Sequence, residues 1–529
     1  MSHFARSLPI EPRGKGGYRL ETIRPGADLA GANGINFGPD GRLWVCEAFA
    51  QRVSSCDAKT GEIRPEIPRD GSLIAPDDLA FDSVGTAYIT DSSRITARRV
   101  DGTLFTLTDQ LISSNGITVD REDRLYVNEF RPGGRVMELD RATGAMRVIV
   151  ASVDYPNACA KGPDGRLYFQ NVIAGQILAL DTDSGAITEV ASGYQQISSV
   201  KIDPSGAVVF SEAMRGLVHR LDPASGVATT IARMPKGGID NLTFDGQGTM
   251  YVSSYSTGCI LRVPPDGSAE ILVPPGLTSI SSVAPLSDGA FLVANTLSAT
   301  AVAADGNFDD WSTWTAPTWN DMVLGAWPSD TDDAAYILTV GGQVYRCRRD
   351  ATFYDVKAAL DRATGEAQLV TPEGATTLGG SDGAVYVALT GGDVSRIGSD
   401  GTLEKVANTG QAAIAAIAIS NGTIAAADAE AGTIVIVKNG TASRLDGFAR
   451  PTGVALDGKA LFVAEHRTRR ILHCDLVSGQ RKVVADELPF GWPVAEPPPF
   501  GRAALLGQPG GGLVVACDGD GSIRRLVLA

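Results

Sequence analysis

Residues 31–47 read GANGINFGPDGRLWVCE, and residues 155–171 read YPNACAKGPDGRLYFQN. Both run from a small or polar residue into an apolar stretch, through a Gly/Pro/Asp turn, into a second apolar stretch that ends on a polar side chain. The same arrangement recurs as APDDLAFDSVGTAYITD from Ala75, SNGITVDREDRLYVNE from Ser114, ISSVKIDPSGAVVFSE from Ile197, GIDNLTFDGQGTMYVSS from Gly238 and ISSVAPLSDGAFLVAN from Ile280. Anchored on the residue before the first apolar run, the copies sit at Asn33, Asp77, Asn115, Asn157, Ser198, Asp240 and Ser281, spaced by 44, 38, 42, 41, 42 and 41 residues. Weaker copies follow near Gly325, Ala375, Ile414, Thr452 and Arg502, which makes twelve.

Each clear copy holds four short apolar runs. In the third they are Ile117–Val119, Leu125–Val127, Val136–Leu139 and Met146–Val150, joined by Asp- and Gly-bearing turns. Runs this short, so punctuated, read as strands of an antiparallel meander. Four strands in about 41 residues is the pattern of a β-propeller blade, a sheet that must stack on neighbours to bury its faces. Twelve blades exceed the usual ~4–8 of one ring. The expectation is therefore an all-β chain of two consecutive six-bladed β-propellers with four-stranded antiparallel blades, a 7+5 split being the alternative. The last copy stops after a third strand at Ile523–Leu528, and Tyr18–Arg24 reads as a lone fourth strand before the first copy. If each ring opens with such a strand, Tyr18–Arg24 closes the blade ending near Val263, and Ala269–Val273 closes the one ending at Ala529. That places the domains at 18–265 and 266–529, with the boundary in Pro264-Pro265-Asp266-Gly267.

Composition agrees with this picture. The 61 glycines in 529 residues exceed the average of ~7%, as many tight turns require. The 46 Lys and Arg against 61 Asp and Glu give a net charge of −15, which argues against nucleic acid or an anionic membrane as partner. No apolar run is long enough for a leader or a membrane span, so a cytoplasmic location is expected. The seven cysteines are scattered without a CxxC pair and read as buried free thiols. Three segments break the period: Asp309–Trp327 with Trp311, Trp314, Trp319 and Trp327, then Arg348–Ala363, then the Pro-rich Asp486–Gly501. They read as elaborated loops, a lid, or a contact surface of a homo-oligomer.

In a propeller the innermost strand of each blade lines the axis, so the residues just before these strands converge at one mouth of the channel. In the first ring they are Asn33, Asp77, Asn115, Asn157, Ser198 and Asp240. The ends of the second strands add Glu47, Asp91, Glu129, Asn171 and Glu212. Asn and Asp are also ordinary turn residues, but the second half is an internal control. Its equivalents Ser281, Gly325, Ala375, Ile414, Thr452 and Arg502 include no acid, so the turn alone does not demand one. A ring of oxygen ligands suits one hard divalent cation, Ca²⁺ or Mg²⁺ more than Zn²⁺. The expected metal ligands are Asn33, Asp77, Asn115, Asn157 and Asp240. Tyr155 and Tyr194 before the strands, and Arg131 and Arg215 after them, are candidates to orient a small-molecule substrate. His219, within a third strand, reads as structural.

The copies of the first half, with NG or DD before an apolar strand and GPDGRLWV or GPDGRLYF after it, resemble the senescence marker protein/gluconolactonase family, and propellers of the virginiamycin B lyase type share the motif. The lactonase resemblance implies a divalent metal at the channel mouth, held by a Glu of the first blade, Asn of the third and fourth, and Asp of the fifth. Asn115 and Asn157 match; Asn33 stands for the Glu, Ser198 for the Asp, and the carboxylates are Asp77 and Asp240 instead. It implies a hydrolase of a lactone or related small ester, with Asp240 or Asp77 as general base and Glu129 or Glu212 in support. The lyase resemblance implies a metal-assisted elimination at the same ring. A double-propeller scaffold without catalysis is the third reading.

Overall fold

The computed structural model describes residues 12–213, 215–234, 238–295, 298–314, 322–329, 333–349, 352–353, 367–371, 373–381, 383–491, 502–508 and 512–529. The chain is all β. Among the described residues its strands form antiparallel meanders of four, which in two sheets gain a fifth strand. They fall into two compact units: Ala27–Gly276, and the residues up to Gly26 together with Leu277–Ala529. Much of Asp309–Trp327, Arg348–Ala363 and Asp486–Gly501 lies outside the described residues.

In the 27–276 unit the innermost strands are Ala32–Phe37, Pro76–Phe81, Ser114–Val119, Cys159–Lys161, Ile197–Ile202 and Ile239–Phe244. Each touches the next, and the last returns to the first, so the six sheets close a ring. Burial explains why. Every apolar cluster draws on two neighbouring sheets, as with Ala158 and Tyr168 of one against Val200 and Phe210 of the next. Ile35 and Val45 pack with Tyr251 and Ile260, which seals the first sheet to the last. A lone sheet would leave these faces in water. All seven cysteines are buried and free.

The pairing of the terminal strands differs from expectation. Glu270–Val273 stays with its own blade, against Ile260–Val263. The Pro264–Gly267 segment is the turn between them, closed by the Gly267 amide on the Pro264 carbonyl at 2.9 Å, with Gly267 at φ 83°. A hairpin this local forms more readily than a contact across the chain. The sheet holding Ala504–Gln508, Gly512–Cys517 and Ser522–Leu528 is the one without a following strand, and Tyr18–Arg24 completes it antiparallel to Ser522–Leu528. The 27–276 ring is thus one continuous insertion, and the other ring is split around it.

One irregularity repeats. Near the start of most innermost strands, two residues oppose a single residue of the second strand. Asn33 and Gly34 lie between the pairs Ala32–Glu47 and Ile35–Val45. Asp77–Asp78, Asn115–Gly116 and Asp240–Asn241 lie in the same way. Such β-bulges re-aim side chains at the rims of closed sheets.

Candidate functional site

The bulge residues collect at the mouth of the 27–276 ring. Residues opposite the bulges fix them from the neighbouring blade. The Thr90 hydroxyl donates to the Asn115 carbonyl at 2.6 Å, the Asn128 amide to Ala158 at 3.0 Å, and the Gln170 amide to Ile197 at 3.2 Å. Ser253 completes the circuit by donating to the Asn33 carbonyl at 2.5 Å. Each stitch joins one blade to the next, which sets the backbone from which the ring side chains project.

These side chains are largely uncommitted. The Asn33 amide donates to Asp77 Oδ2 at 3.3 Å, and Asn33 Oδ1 is buried with no partner. Among the described residues, Asp240, Asn115 and Asn157 make no side-chain hydrogen bond or ion pair to protein. Ser198 is different: its hydroxyl is engaged with Ser211 at 2.8 Å and the Ile239 carbonyl at 2.9 Å, so it serves as a stitch. Enclosure, and then the adjacent Asp78, pushes the Asp77 carboxyl up to about 8. Asp240 is raised well above the usual carboxylate range by its enclosure, then by Asp77 and Asp78, with Lys201 opposing. Two neighbouring carboxyl groups, with Lys201 opposing too weakly to offset enclosure and repulsion, hold protons that exposed aspartates lose.

The repeat reading missed four residues. Asp78, buried beside Asp77, faces Lys201 of the fifth blade at 3.6 Å. A carboxylate and an ammonium thereby meet within the channel. Tyr255 has its hydroxyl raised well above the ordinary value by burial, then by Asp77 and Asp240. It packs on Phe49 with ring centroids 4.9 Å apart and forms an apolar wall beside the acids. Asp78 was legible as the second Asp of the DD pair, and Lys201 as the one charged residue of the ISSVKI strand; Phe49 and Tyr255 carry no pattern.

The second-strand ends do something else. Glu47 is buried, paired to Arg52 at 2.6 Å, bonded to Ser54, and accepts the Ala30 amide at 2.9 Å. Asp91 accepts the Ile74 and Ala75 amides and pairs with Arg94. Glu129 takes the Ile112 amide and both Arg131 and Arg135; burial pushes its carboxyl up, but these donors outweigh it and leave it below the usual range. Glu212 accepts the Gln195 amide and pairs with Arg215 and His219. These acids clamp the loop that leads into their own blade. Glu129 and Glu212, expected to support catalysis, are ion-paired to arginines. Arg131 and Arg215, expected as ligand-orienting groups, are their partners. Tyr155 packs on Phe130 at 5.1 Å, and Tyr194 on Phe210 at 4.6 Å and on His219, so Tyr194 is part of the blade packing. His219 is structural, as expected.

Could the ring hold a cation? Among the described residues no three His, Cys, Asp or Glu side chains gather as a metal group. A cation would rest on two carboxylates and three carboxamides. The orphaned Asn33 Oδ1 and the unpaired Asp240, Asn115 and Asn157 fit that requirement, since hard cations accept such oxygens.

No family description and no curated protein matches the chain. Solved structures that resemble it are propellers. A streptogramin B lyase shares 19% identity over 53% of this chain and 95% of its own, with a TM-score of 0.39. A virginiamycin B lyase from Staphylococcus aureus shares 18% over 52% and 95%, TM-score 0.38. A calcium-binding regucalcin from Agrobacterium tumefaciens shares 16% over 45% and 85%, TM-score 0.38. The chain is a protein of the β-propeller class; the likeness extends to no particular member.

Proposed function

We propose that the 27–276 propeller is a hydrolase of lactones or related small esters that works at its channel mouth with one divalent cation. The observation that supports this reading is the contrast between two sets of acids. Every second-strand carboxylate of this ring is tied to an arginine and to loop amides, while Asp77, Asp240, Asn33, Asn115 and Asn157 keep oxygens that nothing in the described protein satisfies. Leaving a buried polar atom unpaired costs about 1–3 kcal/mol, as at Asn33 Oδ1, and the other four side chains stand half-buried beside it, open to a ligand.

Asn33, Asp77, Asn115, Asn157 and Asp240 would hold the cation, with Ca²⁺ or Mg²⁺ suiting the all-oxygen set. A bound cation polarises an ester carbonyl and makes water more acidic. The chain's own residues do the rest. Asp240, which has no partner among the described residues and which a bound cation would keep ionised, accepts a proton from the attacking water. Asp240 then passes that proton to the leaving alkoxide, while Asp77, fixed by Asn33, would remain a ligand of the cation. Asn115 and Asn157 present amide donors to the oxygens of a hydroxylated substrate. Phe49 and Tyr255 screen one side from water. Lys201 neutralises Asp78, so the site carries no third free acid.

Purified full-length protein, stripped by chelator and resupplied with Ca²⁺, Mg²⁺, Mn²⁺ or Zn²⁺, should open at least one γ- or δ-lactone of a sugar acid and take up one ¹⁸O from labelled water. Asp240→Asn should abolish this. Turnover without label would show an elimination instead, and equal rates in wild type and Asp240→Asn would overturn the assignment.

A further inference from the structure

The split propeller has a site of its own, of opposite sign. Its innermost strands carry the same bulges, which place Ser281, Leu324, Thr376 and Thr452 at ring positions. The sequence spacing put two of these one residue off, at Gly325 and Ala375, because the bulge shifts the register. Arg502 stands two residues before the strand Ala504–Gln508, as Asn157 stands before Cys159–Lys161.

Arg502 reaches across the ring. Its Nη1 donates to the Thr376 carbonyl at 2.7 Å and to the Ala415 carbonyl at 3.2 Å, on two other blades. It has no carboxylate partner among the described residues. Its Nε and Nη2 hydrogens, which lie along one edge of the guanidinium, have no acceptor among the described residues. Burial, and then the neighbouring Arg450, lowers its pKa to about 10. Among the described residues Arg450 pairs with Glu430, at 3.7 Å, and its buried Nε lacks an acceptor. Beside Arg502 lies a cavity of 520 Å³ lined by Leu324, Val340, Thr376 and Thr390, with Glu373 exposed at its rim.

A half-buried guanidinium gains from a counterion, and the described residues supply none to Arg502. The free Nε–Nη2 edge has the fork geometry that takes both oxygens of one carboxylate. The volume lies within the ~300–1,000 Å³ of small-molecule sites. Leu324 and Val340 add an apolar wall. Glu373 at the mouth repels a multiply charged anion more than a singly charged one.

We propose that the cavity of the split propeller binds the carboxylate of a small, partly apolar organic monoanion, with Arg502 as the anchoring residue. Carbonyls of two blades orient the guanidinium, and the ligand body lies against Leu324 and Val340.

Calorimetric titration of the full chain at constant ionic strength tests this, with sodium benzoate as probe and methyl benzoate, acetate and inorganic phosphate beside it. Benzoate should bind saturably at one site per chain, acetate and phosphate more weakly, and the neutral ester not at all. Arg502→Lys keeps the charge but loses the fork and should weaken benzoate by about tenfold or more. Glu373→Gln, on the exposed rim, should tighten it a few-fold, and this variant decides the matter if the Arg502 variant does not fold. Asp240→Asn should bind benzoate like wild type, which separates this site from the lactone site. Unsaturable binding, equal affinity for ester and acid, or an unchanged Glu373→Gln would overturn the proposal.

Discussion

The two ring mouths are made by the same device and carry opposite chemistry. In both units a bulge near the start of the innermost strand turns a side chain toward the axis. In the 27–276 ring the bulges present Asp77 and Asp240, both raised in pKa by enclosure and by neighbouring acids. In the split ring, Arg502 crosses between blades to two carbonyls and has no carboxylate partner among the described residues. A repeat thus dictates where side chains meet and leaves their identity open. Stability lies elsewhere, in the blade-to-blade apolar clusters, the stitches opposite the bulges, and the arginine-clamped acids at the second-strand ends. Ring positions that carry none of that duty can diverge.

The largest effect expected from this division is on turnover. Asp240→Asn and Asp77→Asn should each lower lactone hydrolysis by about 10²-fold or more, while Arg502→Gln leaves it within twofold. A comparable loss in both kinds of variant, measured as kcat/KM, would break the separation.

pH sharpens the contrast next. Asp77 carries its proton up to about 8 in the folded chain against 3.8 ordinarily. A raised carboxyl contributes stability that is fully present below the ordinary value and is lost as pH rises through the folded one. Replacing it by Asn, which has no proton to lose, should leave Tm unchanged near pH 4 and raise it increasingly toward pH 8. Ca²⁺ competes with that proton, so cation affinity should climb over the same window. Melting curves from pH 4 to 9, with and without Ca²⁺, check both; an Asp77→Asn difference that shrinks with rising pH would contradict the assignment.

The smallest effect belongs to the stitches. Ser253→Ala removes the hydroxyl that bonds Asn33 and Asn241 carbonyls and should cost about 1–2 kcal/mol in denaturant unfolding. Its effect on turnover should exceed what that stability loss explains, because the Asn33 backbone is what it positions.

The sequence carried the blade pattern and the ring of Asn and Asp residues because the period repeats them. It did not carry the strand exchange: Tyr18–Arg24 and Glu270–Val273 are both plausible fourth strands, and only the competition between a local hairpin and a distant pairing decides between them. Nor did it show that Glu129 and Glu212 are neutralised. Arg135 lies on the third strand and reaches Glu129 only when the sheet folds. His219 reaches Glu212 in the same way. Asp78 meets Lys201 across the channel from a blade more than a hundred residues away, a contact no repeat spacing encodes. In the split ring the weaker copies blurred the register by one residue, which hid Leu324 and Thr376.

Metal content per chain decides most directly whether the uncommitted oxygens form a binding site. Chelator-stripped protein equilibrated with Ca²⁺ at pH 8, then freed of excess ion, should retain one Ca²⁺ in wild type and in Arg502→Gln, and none in Asp240→Asn. No retained ion in wild type, or one that survives in Asp240→Asn, would contradict it.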